Sequence, residues 1–167
     1  MRNSLVNTPI LKLAKLTLIA LVGAVFMPMV AVADTADEIK ALIMQENAFS
    51  HKNLTSSSDS YSKHGSLEFW SSGGLMQHIA ADAPAATWEQ YSLTAKHIKV
   101  ITLVEDQAAV AMYYSEGAFQ ETGQAAVSHY MTRVTDVYVK EGGKWKVRAA
   151  HYSPIAAGQG TQQTSVD

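Results

Sequence analysis

The sequence predicts an α+β fold, with helices near the start of the chain and an antiparallel sheet of about four strands after them. Two observations predict this order. Apolar residues recur at helical spacing in residues 35–49, and from Thr87 onward the chain is rich in valine, isoleucine, threonine and tyrosine. Turn residues divide this second half into strand-length runs, so neighbouring strands are expected to pair antiparallel.

Residues 1–33 have the features of a secretory signal peptide. Arg2, Lys12 and Lys15 precede an apolar run, Leu16 to Val30, which ends in the small residues of "AVAD". The run has about 15 residues, whereas a transmembrane span needs about 20. We therefore expect cleavage after Ala33 and a periplasmic or secreted protein with no membrane association after cleavage.

The chain that remains after cleavage is short, acidic and free of cysteine. Its length suits one domain, predicted to span residues 34–155. Cleavage removes three of the 13 basic residues and none of the 15 acidic ones, which leaves a net charge of −5. An acidic surface argues against nucleic acid and anionic membranes as partners. Without cysteine, stability must come from core packing or oligomer formation.

The predicted first helix is amphipathic. Ile39, Leu42, Ile43 and Phe49 fall on one helical face. Thr35 stands three residues before a glutamate, the spacing of a capping box, so Thr35 is the expected N-cap.

The stretch after this helix is poor in apolar residues. Serine side chains compete for backbone hydrogen bonds, so residues 50–66 should form at most a short, weak helix. The segment "LEFWSSGGLMQHIA" predicts a short strand or turn, followed by one or two helical turns from Leu75 to Ala80.

Four strand-rich runs complete the domain. Glu105-Asp106 and Glu141-Gly142-Gly143 are predicted tight turns, and residues 117–123 a looser connection. The polar tail, residues 156–167, is expected to be disordered. The runs are "YSLTAKHIKVITLV", "QAAVAMYYSEG", "AAVSHYMTRVTDVYVK" and "KWKVRAAHYSPI".

The order of these elements resembles the nuclear transport factor 2-like, or SnoaL-like, superfamily. The resemblance rests on the N-terminal helix, on "FWSSGG" and above all on "TDVYVKEGGKWKVRAAHYS". This last segment is similar to the closing hairpin of SnoaL-like domains and of calcium/calmodulin-dependent kinase association domains, with Trp145, His151 and Ser153 in the same order. The resemblance implies a cone, in which a curved antiparallel sheet wraps its concave face around N-terminal helices. It also implies a pocket at the open end and a homodimer.

The pairing of the closing hairpin depends on its turn. A three-residue loop sets Asp136 opposite Arg148 and Arg133 opposite His151, and we prefer this register because it pairs acid with base. A two-residue turn would instead set Asp136 opposite Ala149. In the preferred register Asp136 and Arg148 form either a surface ion pair or a pair that lines the cone.

Asp136 is the candidate catalytic residue, and seven further residues are candidates for a ligand pocket. His151 has a structural interpretation as well as a pocket role. No two histidines have the spacing of metal ligands on one helix or strand, so no metal is predicted, and no cofactor motif is present. The pocket candidates are Trp70, Tyr91, Tyr113, Arg133, Arg148, His151 and Tyr152.

Three classes of function remain open at this stage. The preferred one is an exported binding domain for a small, partly apolar molecule, without catalysis. The second is an isomerase or cyclase resembling ketosteroid isomerase, with Asp136 as general base and Tyr113 or Tyr152 as a proton donor to an enolate. The third is a structural role that uses the outer sheet face as a dimer interface. In every class Trp145 is expected to be structural.

Overall fold

A computed structural model describes residues 34–155, so the predicted signal peptide (1–33) and polar tail (156–167) lie outside the described residues. These residues form one helix and a seven-stranded sheet. The elements are α1 (Thr35–Asn53), β1 (Ser66–Phe69), β2 (Gln77–Ile79), β3 (Trp88–Tyr91), β4 (Thr94–Val104), β5 (Ala108–Glu121), β6 (Val127–Glu141) and β7 (Lys144–Pro154).

The sheet is curved, open and mostly antiparallel, with α1 packed against it, which confirms the predicted α+β cone. The strand order is β2-β1-β7-β6-β5-β3, and β4 also pairs with β5. The pairing of β1 with β7 is parallel and joins the first strand to the last. Ile39 and Ile43 of α1 pack into the core against Ala109, Ala111 and Tyr138.

The N-cap of helix α1 lies one residue before the predicted one. Asp34 is the N-cap, and its side chain accepts a hydrogen bond from the backbone N–H of Asp37 (2.8 Å), so the prediction of Thr35 was wrong. Thr35 is buried instead, and its hydroxyl donates to Oε1 of Glu105 (2.7 Å). Thr35 thus fastens the start of the helix to the β4–β5 turn.

Among residues 34–155, α1 is the one α-helix. The segment from residue 54 to 65 is irregular, as its serine content predicts, and Ser62 donates to Glu141 (2.9 Å). The helical turns predicted from Leu75 to Ala80 were wrong, because these residues contain β2, which pairs with β1. β1 forms where a short strand or turn was predicted, and β2 and β3 are two short strands that were not expected.

The connection predicted around residues 117–123 lies inside β5. Gly117 has a φ of 147° and sits at a bulge, while β5 continues to Glu121. A Cβ atom at Gly117 would clash with the backbone oxygen of Ser92. The glycine therefore allows the β3–β4 turn to pass close to β5 without ending the strand.

The β6–β7 hairpin has a two-residue turn, so the preferred three-residue register was wrong. Glu141 pairs with Lys144, and Gly142 and Gly143 have φ of 57° and 78°, the positive values that a tight hairpin turn of this kind requires. A bulge at Arg148 then shifts the pairing by one further residue, so that Asp136 faces Ala150 and not Arg148.

Trp145 lies opposite Lys140 in this register. Its ring packs against the core, and its Nε1 donates to Oε2 of Glu38 on α1 (2.7 Å). Nζ of Lys140 lies 5.1 Å from the ring centroid and 2.8 Å from the same carboxylate. Trp145 therefore links the hairpin to the first turns of the helix.

Two lysines of β7 contact the same carboxylate in different environments. Lys146 is buried and its Nζ lies 2.7 Å from Oδ2 of Asp59, whereas Lys144 is exposed and lies 3.3 Å from that atom. These contacts hold the irregular segment against the edge of β7, beside the parallel bridge between Tyr61 and Val147.

Candidate functional site

A row of side chains across four strands brings two carboxyl groups together. Glu68 on β1 pairs with Ala150 on β7, which pairs with Asp136 on β6, which pairs with Ala111 on β5. Cross-strand neighbours point to the same face of a sheet, and Ala111 belongs to the core beneath α1. Both carboxyl groups therefore lie on the inner face, separated by the small side chain of an alanine.

Asp136 is 3 % exposed and is bound by two phenols. Its Oδ2 accepts hydrogen bonds from the hydroxyls of Tyr113 (2.8 Å) and Tyr138 (3.5 Å), while its Oδ1 has no partner among residues 34–155. Burial raises the pKa of Asp136 to about 7, the negative charge of Glu68 adds to the rise, and the two phenol hydrogen bonds oppose it. Asp136 can therefore both hold and release a proton near neutral pH.

Glu68 is 1 % exposed, and its Oε2 also has no hydrogen-bond partner in the part of the chain that the structure describes. Burial raises the pKa of Glu68. No ion pair within residues 34–155 involves either Glu68 or Asp136. Two buried carboxylates without a counter-charge are costly, so the pair favours a state that keeps at least one proton.

Phenol groups surround the two carboxyls. Burial raises the pKa of Tyr61 to about 12 and raises the pKa values of Tyr113, Tyr138 and Tyr152 well above the ordinary value, with the charge of Asp136 adding to the rise in each case. All four phenols are therefore neutral near pH 7. Tyr152 also stacks on Trp70, with ring centroids 5.3 Å apart.

A cleft of about 220 Å³ lies between α1 and the sheet, on the far side of the two phenols that bind Asp136. Tyr113 and Tyr138 form part of its wall, so Asp136 lies directly behind the cleft. The lining combines apolar, aromatic and hydrogen-bonding groups: Ile43, Glu46, Asn47, Ser50, Ser56, Trp88, Tyr91, Ala95, Tyr113, Ser115 and Tyr138.

A larger groove of about 540 Å³ lies between α1 and the start of β4. Its lining includes Met44, Ala48, His51 and Lys52, and none of the residues of the buried carboxyl cluster. Size alone favours this groove, but the smaller cleft is the one connected to titratable groups with shifted pKa values. The smaller cleft is therefore the candidate site.

The structure brings five of the eight candidate residues together. Tyr91 and Tyr113 line the cleft, Asp136 lies behind it, and Tyr152 with its stacking partner Trp70 lies beside the carboxyl cluster.

The three basic candidates lie elsewhere. Arg133 and His151 alternate with inward-facing neighbours and point to the outer face of the sheet. Arg133 donates to the carbonyl of Pro154 (3.2 Å), and His151 packs edge-on against Phe69. Arg148, at the bulge, donates to the carbonyl of Gly65 (3.4 Å). The predicted pairs Asp136–Arg148 and Arg133–His151 are not formed.

Sequence reasoning missed Glu68, Tyr138 and the wall residues Glu46 and Trp88. Tyr138 could have been found, because it stands two positions from Asp136 on one strand and so shares its face. Glu68 could not be predicted from its neighbours in the sequence, because it reaches the cluster through the parallel pairing of β1 with the last strand.

Neither a metal centre nor a membrane-spanning helix is present in the part of the chain that the structure describes. No three side chains of histidine, aspartate or glutamate converge there as a metal ion would require. The helix found there is too short or too polar to cross a bilayer.

No protein-family model matches the chain, and no curated protein matches it significantly. Solved structures to which it is similar include an NTF2-like protein from Cytophaga hutchinsonii, at 15% identity, covering 71% of this chain and 91% of that chain with a TM-score of 0.45. A putative calcium/calmodulin-dependent protein kinase II association domain from Xanthomonas campestris is 20% identical. The match covers 72% of this chain and 88% of that domain, with a TM-score of 0.47. A corresponding domain from Exiguobacterium sibiricum is 15% identical. The match covers 73% of this chain and 88% of that domain, with a TM-score of 0.39. These three similarities concern the fold alone.

Proposed function

We propose that the protein is an exported domain that binds a small, partly apolar molecule in the cleft between α1 and the sheet. The observation that supports this most directly is the cleft wall, in which Tyr113 and Tyr138 connect the cavity to the buried carboxyl of Asp136. Apolar surface with a few convergent polar groups is the usual composition of a ligand site. The signal-peptide features of residues 1–33 support export.

Ligand-induced thermal stabilisation would test the binding function. Compounds of differing charge and polarity would be screened against the purified protein, and the affinity of each hit would be measured by calorimetry. Tyr91→Ala should abolish the stabilisation, because Tyr91 lines the cleft. Phe69→Ala is the control, since Phe69 is exposed on β1, contacts His151 and lies outside both the cleft lining and the proposed interface. If every class of compound leaves the melting temperature unchanged, the proposal fails.

A catalytic role is the second candidate, favoured by the pKa of Asp136 near 7. A carboxylate with that pKa suits the transfer of a proton between carbon atoms next to a carbonyl, and a phenol O–H suits a developing enolate oxygen. Unpartnered Oδ1 of Asp136 would take the proton, once a substrate in the cleft displaces the phenols. Asp136→Asn should keep the fold and lose turnover; undiminished turnover would exclude Asp136 as the base.

We also propose a homodimer formed through the outer face of the sheet. This face carries exposed apolar side chains on three adjacent strands, Ile101, Met112, Tyr114 and Met131, opposite the face that α1 covers. Such a surface supports association between copies. Light scattering across a range of concentrations tests it, and a monomer at every concentration would reject both the dimer and a purely structural role.

A further inference from the structure

The cleft has an acidic character. Among the described residues, 34–155, Glu46 is the one charged residue of its lining. Oε2 of Glu46 accepts a hydrogen bond from Ser57, and no ion pair within residues 34–155 involves Glu46. Lys52 and His51 line the neighbouring groove and not this cleft, so the charge inside the cleft is the carboxylate of Glu46, which attracts cations.

Two polar groups of the wall already use a proton. A phenol has one proton to donate, and both Tyr113 and Tyr138 donate theirs to Asp136. These groups can accept a hydrogen bond from a ligand that carries donors, while the serine hydroxyls of the lining can donate as well as accept.

Aromatic rings form much of the remaining surface. Trp88 and Tyr91 have ring centroids 4.5 Å apart and an interplanar angle of 48°, which makes an aromatic corner at one side of the cleft. Tyr113 and Tyr138 add two more rings to the lining. Aromatic faces attract organic cations through their quadrupoles, and a cage of such rings is a known arrangement for ammonium ligands.

From this combination we propose that the cleft binds a small organic cation, an amine or a quaternary ammonium, with Trp88 and Tyr91 against the charge and Glu46 as its counter-ion. This inference rests on the proposed binding function and specifies its ligand class. A volume of 220 Å³ corresponds to about seven water molecules, so the ligand is a compact one, near the size of choline.

A comparison of matched ligands tests the inference with the purified protein. Choline, tetramethylammonium and phenethylamine are the cationic probes. The neutral alcohol 3,3-dimethylbutan-1-ol has the shape of choline without its charge, and pivalate supplies a compact anion. By calorimetry, at least one cation should bind, and choline should bind at least tenfold more tightly than the neutral alcohol.

Two variants locate the site. Glu46→Gln keeps an acceptor for Ser57 but removes the charge, and should weaken cation binding about tenfold. Glu116→Gln is the control, because Glu116 pairs with Lys96 on the surface (2.8 Å), away from the cleft. Trp88→Leu should weaken binding by a similar factor, and circular dichroism would verify that each variant is folded.

The possible results separate this inference from the broader function. Equal affinity for choline and the neutral alcohol, or binding of pivalate alone, would overturn the cation inference and leave a binding domain. Cation binding that neither Glu46→Gln nor Trp88→Leu weakens would show that the cleft is not the cation site. Failure of cations, alcohol, anion and every other class screened would overturn both proposals.

Discussion

The buried carboxyl of Asp136 should make the free energy of unfolding fall as the pH rises from about 4 to about 7. The ordinary pKa of 3.8 applies in the unfolded chain, whereas burial raises the pKa to about 7 in the folded protein. Between these values the folded state keeps a proton that the unfolded chain releases. Below pH 3.8 both states carry the proton and above pH 7 neither does, so the stabilisation is full at low pH and is lost as the pH rises through 7.

The size of the effect follows from the separation of the two pKa values. Each pKa unit corresponds to about 1.4 kcal/mol, so about three units give a loss of about 4 kcal/mol, which is an upper value if water enters the cluster. That is a large part of the 5–15 kcal/mol typical of a domain. Glu68 acts in the same direction because burial raises its pKa, and the surrounding phenols, with raised pKa values, stay neutral throughout.

Urea denaturation at intervals between pH 4 and pH 8 would measure the effect in wild type and in Asp136→Asn. The asparagine is neutral at every pH. As the pH rises, the free energy of unfolding of the variant should therefore increase relative to that of wild type, by up to about 4 kcal/mol. Glu38, Asp59 and Glu141 have lowered pKa values and act in the opposite sense near pH 4, but they are present in both proteins and cancel in the difference.

Asp82→Asn is the control for the loss of a carboxyl, since Asp82 is exposed in a loop. Its stability should follow that of wild type across the range. Parallel curves for wild type and Asp136→Asn would mean that no proton on Asp136 is linked to folding, and the account of the buried cluster would be refuted.

Three further predictions concern stability, each measured as a change in urea midpoint or melting temperature. Trp145→Ala should cost about 3 kcal/mol, because it removes packing and the hydrogen bond to helix α1. His151→Ala and Arg148→Ala should leave the fold intact. A wild-type melting temperature for the tryptophan variant would contradict this prediction. Gly117→Ala should destabilise the protein by more than about 2 kcal/mol, because the added Cβ would clash with the backbone of Ser92. Gly123→Ala should cost less, because the space around Gly123 is open. Equal costs would refute the close approach of Ser92 to Gly117. Lys146→Ala should destabilise more than Lys144→Ala, because Lys146 is buried and also donates to the carbonyl of Asp59, whereas Lys144 is exposed; the reverse order would show that burial does not decide the strength of the pair.

The long elements could be predicted from the sequence because their patterns are local. Helix α1 and strands β4 to β7 have enough residues for a period of 3.6 or 2 to stand out, and the two-glycine turn marks the closing hairpin. Strands β1, β2 and β3 have three or four residues each: β1 pairs with the distant strand β7, β3 pairs with β5, and β2 is held at the edge by β1. Their formation depends on tertiary contacts, which periodicity does not record.

Asp136 was recognised as the central acid, but its surroundings were assigned incorrectly, and one residue accounts for much of the difference. In a regular hairpin with a two-residue turn, the inner face of β7 would carry Trp145, Val147, Ala149 and His151. The bulge at Arg148 exchanges the faces beyond it, so Ala150 and Tyr152 point inward, while His151 points outward.

That exchange creates the site. With Ala150 inside, a small side chain separates Glu68 from Asp136, and the two carboxyls interact through a low-dielectric interior. In the two-residue register without a bulge, Ala149 would face Asp136, and His151 would point inward two residues away. The bulge instead turns His151 outward and places the phenol of Tyr152 beside the acids, so β7 supplies no basic side chain to them and the cluster keeps a proton. It also leaves the phenols of Tyr113 and Tyr138 as the groups that connect this proton to the cleft.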